Sequence, residues 1–124
     1  MISVGTDILE VRRVEEVTGR LGEKFVQRIL TPPEVEEYRS SAQPERLLAK
    51  RFAAKEAVAK ALGTGIGRGV SWQDIRIDHD DFGAPRVVLA GGALNVAQDR
   101  GGQRVEISIA DEVAYVVAFA VLAP

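Results

Sequence analysis

The chain has no cysteine and only one histidine, one methionine and one tryptophan among 124 residues. The missing thiol excludes disulfides, thiolate metal sites and cysteine nucleophiles. The lone His79 falls in His79-Asp80-Asp81-Phe82-Gly83-Ala84-Pro85, which reads as a turn and leaves the imidazole solvated. No Ser–His–Asp arrangement can be built from this chain. No apolar run approaches the roughly 20 residues of a membrane span. The start, Met1 to Asp7, lacks the basic region of a secretory signal, so we expect a cytoplasmic protein. Positive charge is not in excess either: the net charge is −2, with a pI of about 5.5. A general nucleic-acid binder is thereby excluded, and any anionic partner must be met by a local basic patch. Internal repeats and low-complexity tracts are missing.

At 46% hydrophobic the chain can build a core, and its length suits one domain spanning residues 1–124. Strands are expected at Ile2–Ile8, Trp72–Asp78, Arg86–Leu89, Arg104–Ile109 and Val113–Leu122. The second and third should form a hairpin. Helices are expected at Glu10–Leu21, Lys24–Leu30, about 32–40, 44–62 and Gly91–Gln98. Thr31 and Glu34 have capping-box spacing, with Pro32 at the first helical position. Helices early and antiparallel strands late make an α+β pattern. The last strand is apolar at nearly every position, too apolar for a sheet with one wet face.

The 44–62 helix ends in Arg51-Phe52-Ala53-Ala54-Lys55-Glu56-Ala57-Val58-Ala59-Lys60-Ala61-Leu62, followed by Gly63-Thr64-Gly65-Ile66-Gly67. Gly63 suits the C-terminal cap. At about 100° per residue, Glu45, Arg46, Lys50, Glu56 and Lys60 share one strip, and Arg51 and Lys55 form a second. Apolar residues fill both sides between, the pattern of a buried helix. Charges there are costly unless they are paired or hold a ligand. Two readings stand. Glu56 and Lys60 form an ordinary i,i+4 surface pair, or the carboxylate faces a hard metal ion with lysines on phosphate oxygens. The three glycines after the helix allow close backbone approach by a ligand. Asp7 would share a strand face with Ser3 and Gly5, or else cap the following helix. Arg13, Val17 and Arg20 share one helical face; the two arginines either pair with Glu10, Glu16 or Glu23 or meet a partner.

Together, Gly5-Thr6-Asp7-Ile8, Arg28-Ile29-Leu30-Thr31 with Glu34, and the run from Arg51 to Gly67 resemble a known family. Ser71-Trp72-Gln73-Asp74-Ile75, Gly83-Ala84-Pro85 and Ser108-Ile109-Ala110-Asp111 match it as well. This is the holo-[acyl-carrier-protein] synthase family of small bacterial 4′-phosphopantetheinyl transferases. The resemblance implies transfer of 4′-phosphopantetheine from coenzyme A to a serine of apo acyl carrier protein, leaving adenosine 3′,5′-bisphosphate, in fatty acid biosynthesis. It implies Mg²⁺ on Asp7 and Glu56 and phosphate contact by Lys60. Coenzyme A would lie beside Gly63, Thr64, Gly65 and Ile66, with Arg51 and Lys55 as further cofactor contacts. It implies a homotrimer with active sites between subunits, and carrier-protein docking on Arg13, Val17 and Arg20, with Arg28 further on. Many family members carry histidine where this chain has Ala110 and Asp111. The general base is left open among Asp111, Asp7, Glu56 and a metal-bound water. The competing readings are a catalytically silent binding domain of the same fold and a different Mg²⁺-dependent nucleotide enzyme.

Overall fold

A computed structural model describes residues 2–124. Strand β1 (Ser3–Glu10) opens the chain, followed by helices α1 (Val11–Leu21), α2 (Glu23–Ile29), α3 (Pro32–Ser40) and α4 (Pro44–Ala61). A hairpin of β2 (Ile75–His79) and β3 (Pro85–Leu89), helix α5 (Gly91–Asp99), and strands β4 (Arg104–Asp111) and β5 (Tyr115–Ala123) complete it. The helices pack on an antiparallel sheet of order β1-β5-β4, and β2-β3 form a separate two-stranded sheet. The α+β expectation holds. No helix among the described residues is long and apolar enough to cross a membrane.

α4 lies across the inner face of the larger sheet, and small residues explain how it comes so close. Ala49, Ala53, Ala54, Ala57, Ala59 and Ala61 are all fully buried on it. Across from them, Ala118 and Ala120 of β5 pair with Asp7 and Gly5 of β1. A Cβ on Gly5 would stand 2.1 Å from the Ala57 carbonyl oxygen and 2.5 Å from the Ala61 nitrogen. Only glycine lets the helix backbone cross there. The β1–α4 contact thus depends on one missing side chain, two residues before Asp7.

Three elements differ from the sequence reading. Residues Trp72–Asp74 form a 3₁₀ turn rather than the start of a strand, because Ser71 and Asp74 make a capping box. β4 continues to Asp111, which pairs with Val116, so Asp111 is a strand residue rather than part of a turn. His79 ends β2, opposite Pro85, and is exposed. At the end of α4 the cap is Leu62, and Gly63 follows it with φ +84°.

Candidate active site

Asp7 stands in the middle of β1, paired with Ala118, so it caps no helix. The residue before α1 is Glu10, and its side chain makes no capping bond. Strand alternation puts Asp7 on the inner face with Ser3 and Gly5, facing α4. Glu56 comes from α4, and Asp7 and Glu56 open into one cleft of about 400 Å³. Leu9, Val14, Phe25 and Phe52 form its apolar wall.

One turn beyond Glu56, Lys60 donates to Asp7 Oδ1 at 3.1 Å and to the Thr6 carbonyl at 3.0 Å. Lys60 is therefore tied to β1 through Asp7 and Thr6 rather than paired with Glu56 on a wet surface. Burial raises the pKa of Glu56, the Asp7 charge raises it further, and Lys60 opposes both. Two carboxylates crowded in a half-dry cleft favour a cation between them. No group of three metal-ligating side chains exists among the described residues. Mg²⁺ suits this donor set, since it binds through one or two carboxylates plus waters and substrate phosphates.

The same cleft is lined by Arg13 and Val17 of α1. The residues expected at the metal and those expected at the partner surface therefore share a wall. Arg13 and Arg20 are exposed, and neither forms an ion pair among the described residues. The acids they were expected to meet are engaged elsewhere. Glu16 pairs with Arg12 at 3.1 Å, and Glu23 with Arg39 at 2.7 Å. Glu10 accepts from the Tyr115 hydroxyl at 3.4 Å.

The glycine-rich loop wraps the end of α4. Gly63 donates to the Lys60 carbonyl, and Thr64 and Gly65 both donate to the Ala59 carbonyl. Ile66 and Gly67 then line a second cleft of about 650 Å³, with Arg28 and Trp72 opposite. Phe25, Phe52 and Trp72 stack in a column between the two clefts, with centroid separations of 6.3 and 4.9 Å.

The two residues of the second polar strip part ways. Lys55 is fully buried. Its Nζ donates to Glu34 Oε1 at 2.6 Å, the Ile29 carbonyl at 2.7 Å and the Trp72 carbonyl at 3.2 Å. All three of its protons are used, so the expected contact with cofactor is corrected: Lys55 ties α4 to α2, α3 and the 3₁₀ turn. Arg51 is also buried, with Nη2 on Glu37 at 3.0 Å. Its Nη1 has no hydrogen-bond partner and sits 3.7 Å from Glu34 Oε2. Arg51 lines a third cleft of about 290 Å³ with Arg46, Lys50 and His79. Arg46, Lys50 and Arg51 each already have a carboxylate partner, and the Arg51 Nη1 donor is the one left without a hydrogen bond.

Asp111 is not brought to the Asp7–Glu56 pair within the protomer. It lies two strands from β1, in register with Leu9 rather than Asp7, about 10 Å or more away. Its carboxylate meets Arg46 and Lys50 instead. Sequence reading also missed Glu34 as a buried hub and Phe25 as a cleft wall. The Thr31–Glu34 spacing pointed to a cap but not to the lysine it also holds.

With the geometry in place, comparison with known proteins is specific. A family model described as the 4′-phosphopantetheinyl transferase superfamily matches residues 3–120. A holo-[acyl-carrier-protein] synthase of Shewanella frigidimarina is 56% identical over 122 residues, covering 98% of this chain and 97% of the relative. The solved structure of the Neisseria meningitidis holo-[acyl-carrier-protein] synthase superposes with a TM-score of 0.94 at 40% identity, covering 100% and 99% of the two chains. The Helicobacter pylori holo-[acyl-carrier-protein] synthase, solved in complex with coenzyme A, gives 0.84 at 30% identity, covering 97% and 99%.

Proposed function

The chain belongs to the 4′-phosphopantetheinyl transferase superfamily, and we infer that its reaction takes place in the cleft between Asp7 and Glu56. The enzyme transfers 4′-phosphopantetheine from coenzyme A to a serine of apo acyl carrier protein, giving the holo protein. The serine oxygen forms a bond to the phosphorus that carries pantetheine, and that phosphorus releases adenosine 3′,5′-bisphosphate. The nucleophile comes with the carrier protein, which is why the chain needs no serine, histidine or cysteine of its own.

The observation that carries the site assignment is the pair of carboxylates from β1 and α4 opening into one cleft beside Lys60. Asp7 and Glu56 would hold Mg²⁺, which when bound neutralises the pyrophosphate of coenzyme A. Phosphoryl transfer depends mainly on positioning and charge neutralisation. Lys60 supplies a further positive charge, and its bond to the Thr6 carbonyl keeps it at the cleft mouth when the phosphate arrives. The apolar wall of Phe25 and Phe52 would limit water around the phosphorus under attack. The glycine-rich loop offers backbone to the cofactor, and Arg51, though paired with Glu37 and Glu34, keeps in Nη1 a donor without a hydrogen bond that a phosphate could take. Arg13, Val17, Arg20 and Arg28 would receive the carrier protein. Trimeric assembly is supported by an apolar outer sheet face on which Val4, Ile8, Val117 and Phe119 are 38–66% exposed.

Mass spectrometry of apo carrier protein incubated with coenzyme A and Mg²⁺ tests this reading. A gain equal to phosphopantetheine is expected, and Asp7→Ala or Glu56→Ala should cut its rate by about 100-fold or more while the protein stays folded. Cleavage of coenzyme A without that gain would mean hydrolysis instead. Near-normal transfer by either variant at low Mg²⁺ would overturn the metal assignment.

A further inference from the structure

The end of β4 carries a carboxylate, Asp111, that the protomer does not bring to its own Asp7–Glu56 pair. Asp111 Oδ2 accepts from Arg46 Nη1 at 3.0 Å, and Oδ1 lies 3.4 Å from Lys50 Nζ. Both cations come from the polar strip of α4 and line the same cleft as Arg51. Lys50 is six residues before Glu56, about 9 Å along the helix. This cleft therefore lies at the far end of the strip from the Asp7–Glu56 pair, within the span of one extended coenzyme A.

Asp111 is not needed to hold Arg46. That guanidinium also donates to the Glu112 carbonyl at 2.7 Å and the Val113 carbonyl at 2.8 Å. Those two bonds latch the β4–β5 turn to α4 whatever residue 111 carries. Lys50 has Asp111 as its only ion-pair partner among the described residues. What Asp111 adds is negative charge beside a cleft whose charged lining side chains are Arg46, Lys50 and Arg51, the last already paired with Glu37 and Glu34.

We propose that Asp111 is an internal counter-anion of this cleft, competing with a phosphate of coenzyme A for Arg46 and Lys50 and weakening the hold on the product adenosine 3′,5′-bisphosphate. The proposal rests on the cofactor reading given above. A phosphate brings more charge than one carboxylate and displaces it. The displaced pairs then subtract from the binding energy, for the bisphosphate as much as for coenzyme A. Asp111 acts through Arg46 and Lys50, without touching the reacting phosphorus.

The test is binding of adenosine 3′,5′-bisphosphate by calorimetry to the wild type, Asp111→Asn and Lys50→Met, with unfolding temperatures measured alongside. Asp111→Asn keeps the side-chain shape and an acceptor for Arg46. It should bind about 3- to 10-fold tighter, because two partly exposed pairs no longer compete. Its binding should depend more steeply on salt, and added bisphosphate should inhibit transfer by the same larger factor. Lys50→Met should bind more weakly than the wild type. Weaker binding by Asp111→Asn would mean that the carboxylate positions the cations, and unchanged binding that it does not act on them. Either overturns the proposal and leaves the transferase reading intact. An unaltered affinity in Lys50→Met would overturn the choice of cleft. A wild type that neither transfers phosphopantetheine nor binds the bisphosphate would overturn the cofactor reading itself.

Discussion

Lys55 Nζ lies 2.6 Å from Glu34 Oε1, and both side chains are sealed from solvent. Glu34 also accepts from the Thr31 backbone and hydroxyl and from the Ile77 backbone. One carboxylate thus joins the start of α3, the middle of α4 and strand β2. Burial lowers the pKa of Lys55, and Glu34 opposes that shift. Removing one partner leaves the other as a buried, unpaired charge. We predict that Glu34→Gln or Lys55→Met costs about 3–5 kcal/mol of stability. The double variant should cost less than the sum of the two. Urea unfolding of the four proteins checks this, and additive losses would mean the two charges do not depend on each other.

Glu56 yields a prediction of opposite sign. Burial and the Asp7 charge raise its pKa in the folded protein above the ordinary 4.5. The folded state then binds this proton more tightly than the unfolded chain does. The stabilising effect of the proton is present below the unfolded pKa and is lost as pH rises through the folded one. At neutral pH without metal, the ionised carboxylate is a burden. Glu56→Gln should therefore unfold at a higher temperature than the wild type at pH 7 in chelator. That advantage should shrink as pH falls toward 4. Adding Mg²⁺ should raise the wild-type unfolding temperature and leave Glu56→Gln unmoved. A variant less stable than wild type at pH 7 in chelator would contradict the raised pKa.

How much of this was legible depended on whether the cause was local. The capping box at Thr31 and Glu34, the end of α4 next to Gly63 and the existence of the β2–β3 hairpin follow from short-range rules, although β2 starts three residues later than its alternation suggests. For Asp7 the neighbouring residues fit a strand face and a helix cap equally well. The pairing with β5, more than 100 residues away, makes it a strand residue. The fate of Lys55 turned on Glu34, which is 21 positions distant. Helical phase put Lys55 beside Arg51 but carried no information about what would cover it. Periodicity named the polar strips, and tertiary pairing divided them into a structural lysine, a buried arginine with a free donor, and the Glu56–Lys60 site.

The outer face of the larger sheet gives the third prediction. β5 alternates buried Val116, Ala118 and Ala120 with exposed Tyr115, Val117 and Phe119. On β1, Val4 and Ile8 extend the same exposed face, in register with Val121 and Val117. An apolar sheet face of this kind marks an interaction surface. Phe119→Glu should convert a trimer into monomers by sedimentation, because a charge at the centre of the face has no partner there. Its inner neighbours are untouched, so far-ultraviolet circular dichroism should stay native. Transfer should fall with assembly if subunits share the site. A fully active monomer would refute the assembly reading.

Carrier-protein docking is the fourth prediction, and the shared cleft sharpens it. Arg13 lines the same wall as Glu56, whereas Arg20, two turns further along α1, does not. Both guanidinium groups are exposed, with no acid holding them among the described residues. Charges at a rim act mainly on association rate and salt dependence. Arg20→Glu should raise the KM for an acidic carrier protein by about 10-fold and flatten its salt dependence, with kcat and coenzyme A affinity unchanged. Arg13→Glu should raise the same KM. It also adds a third carboxylate to the cleft of Asp7 and Glu56, which mixes a change at the metal site with any change in docking. The informative comparison is therefore Arg20→Glu. An unchanged carrier-protein KM in that variant, or a matching loss of coenzyme A affinity, would show that the α1 face does not receive the partner.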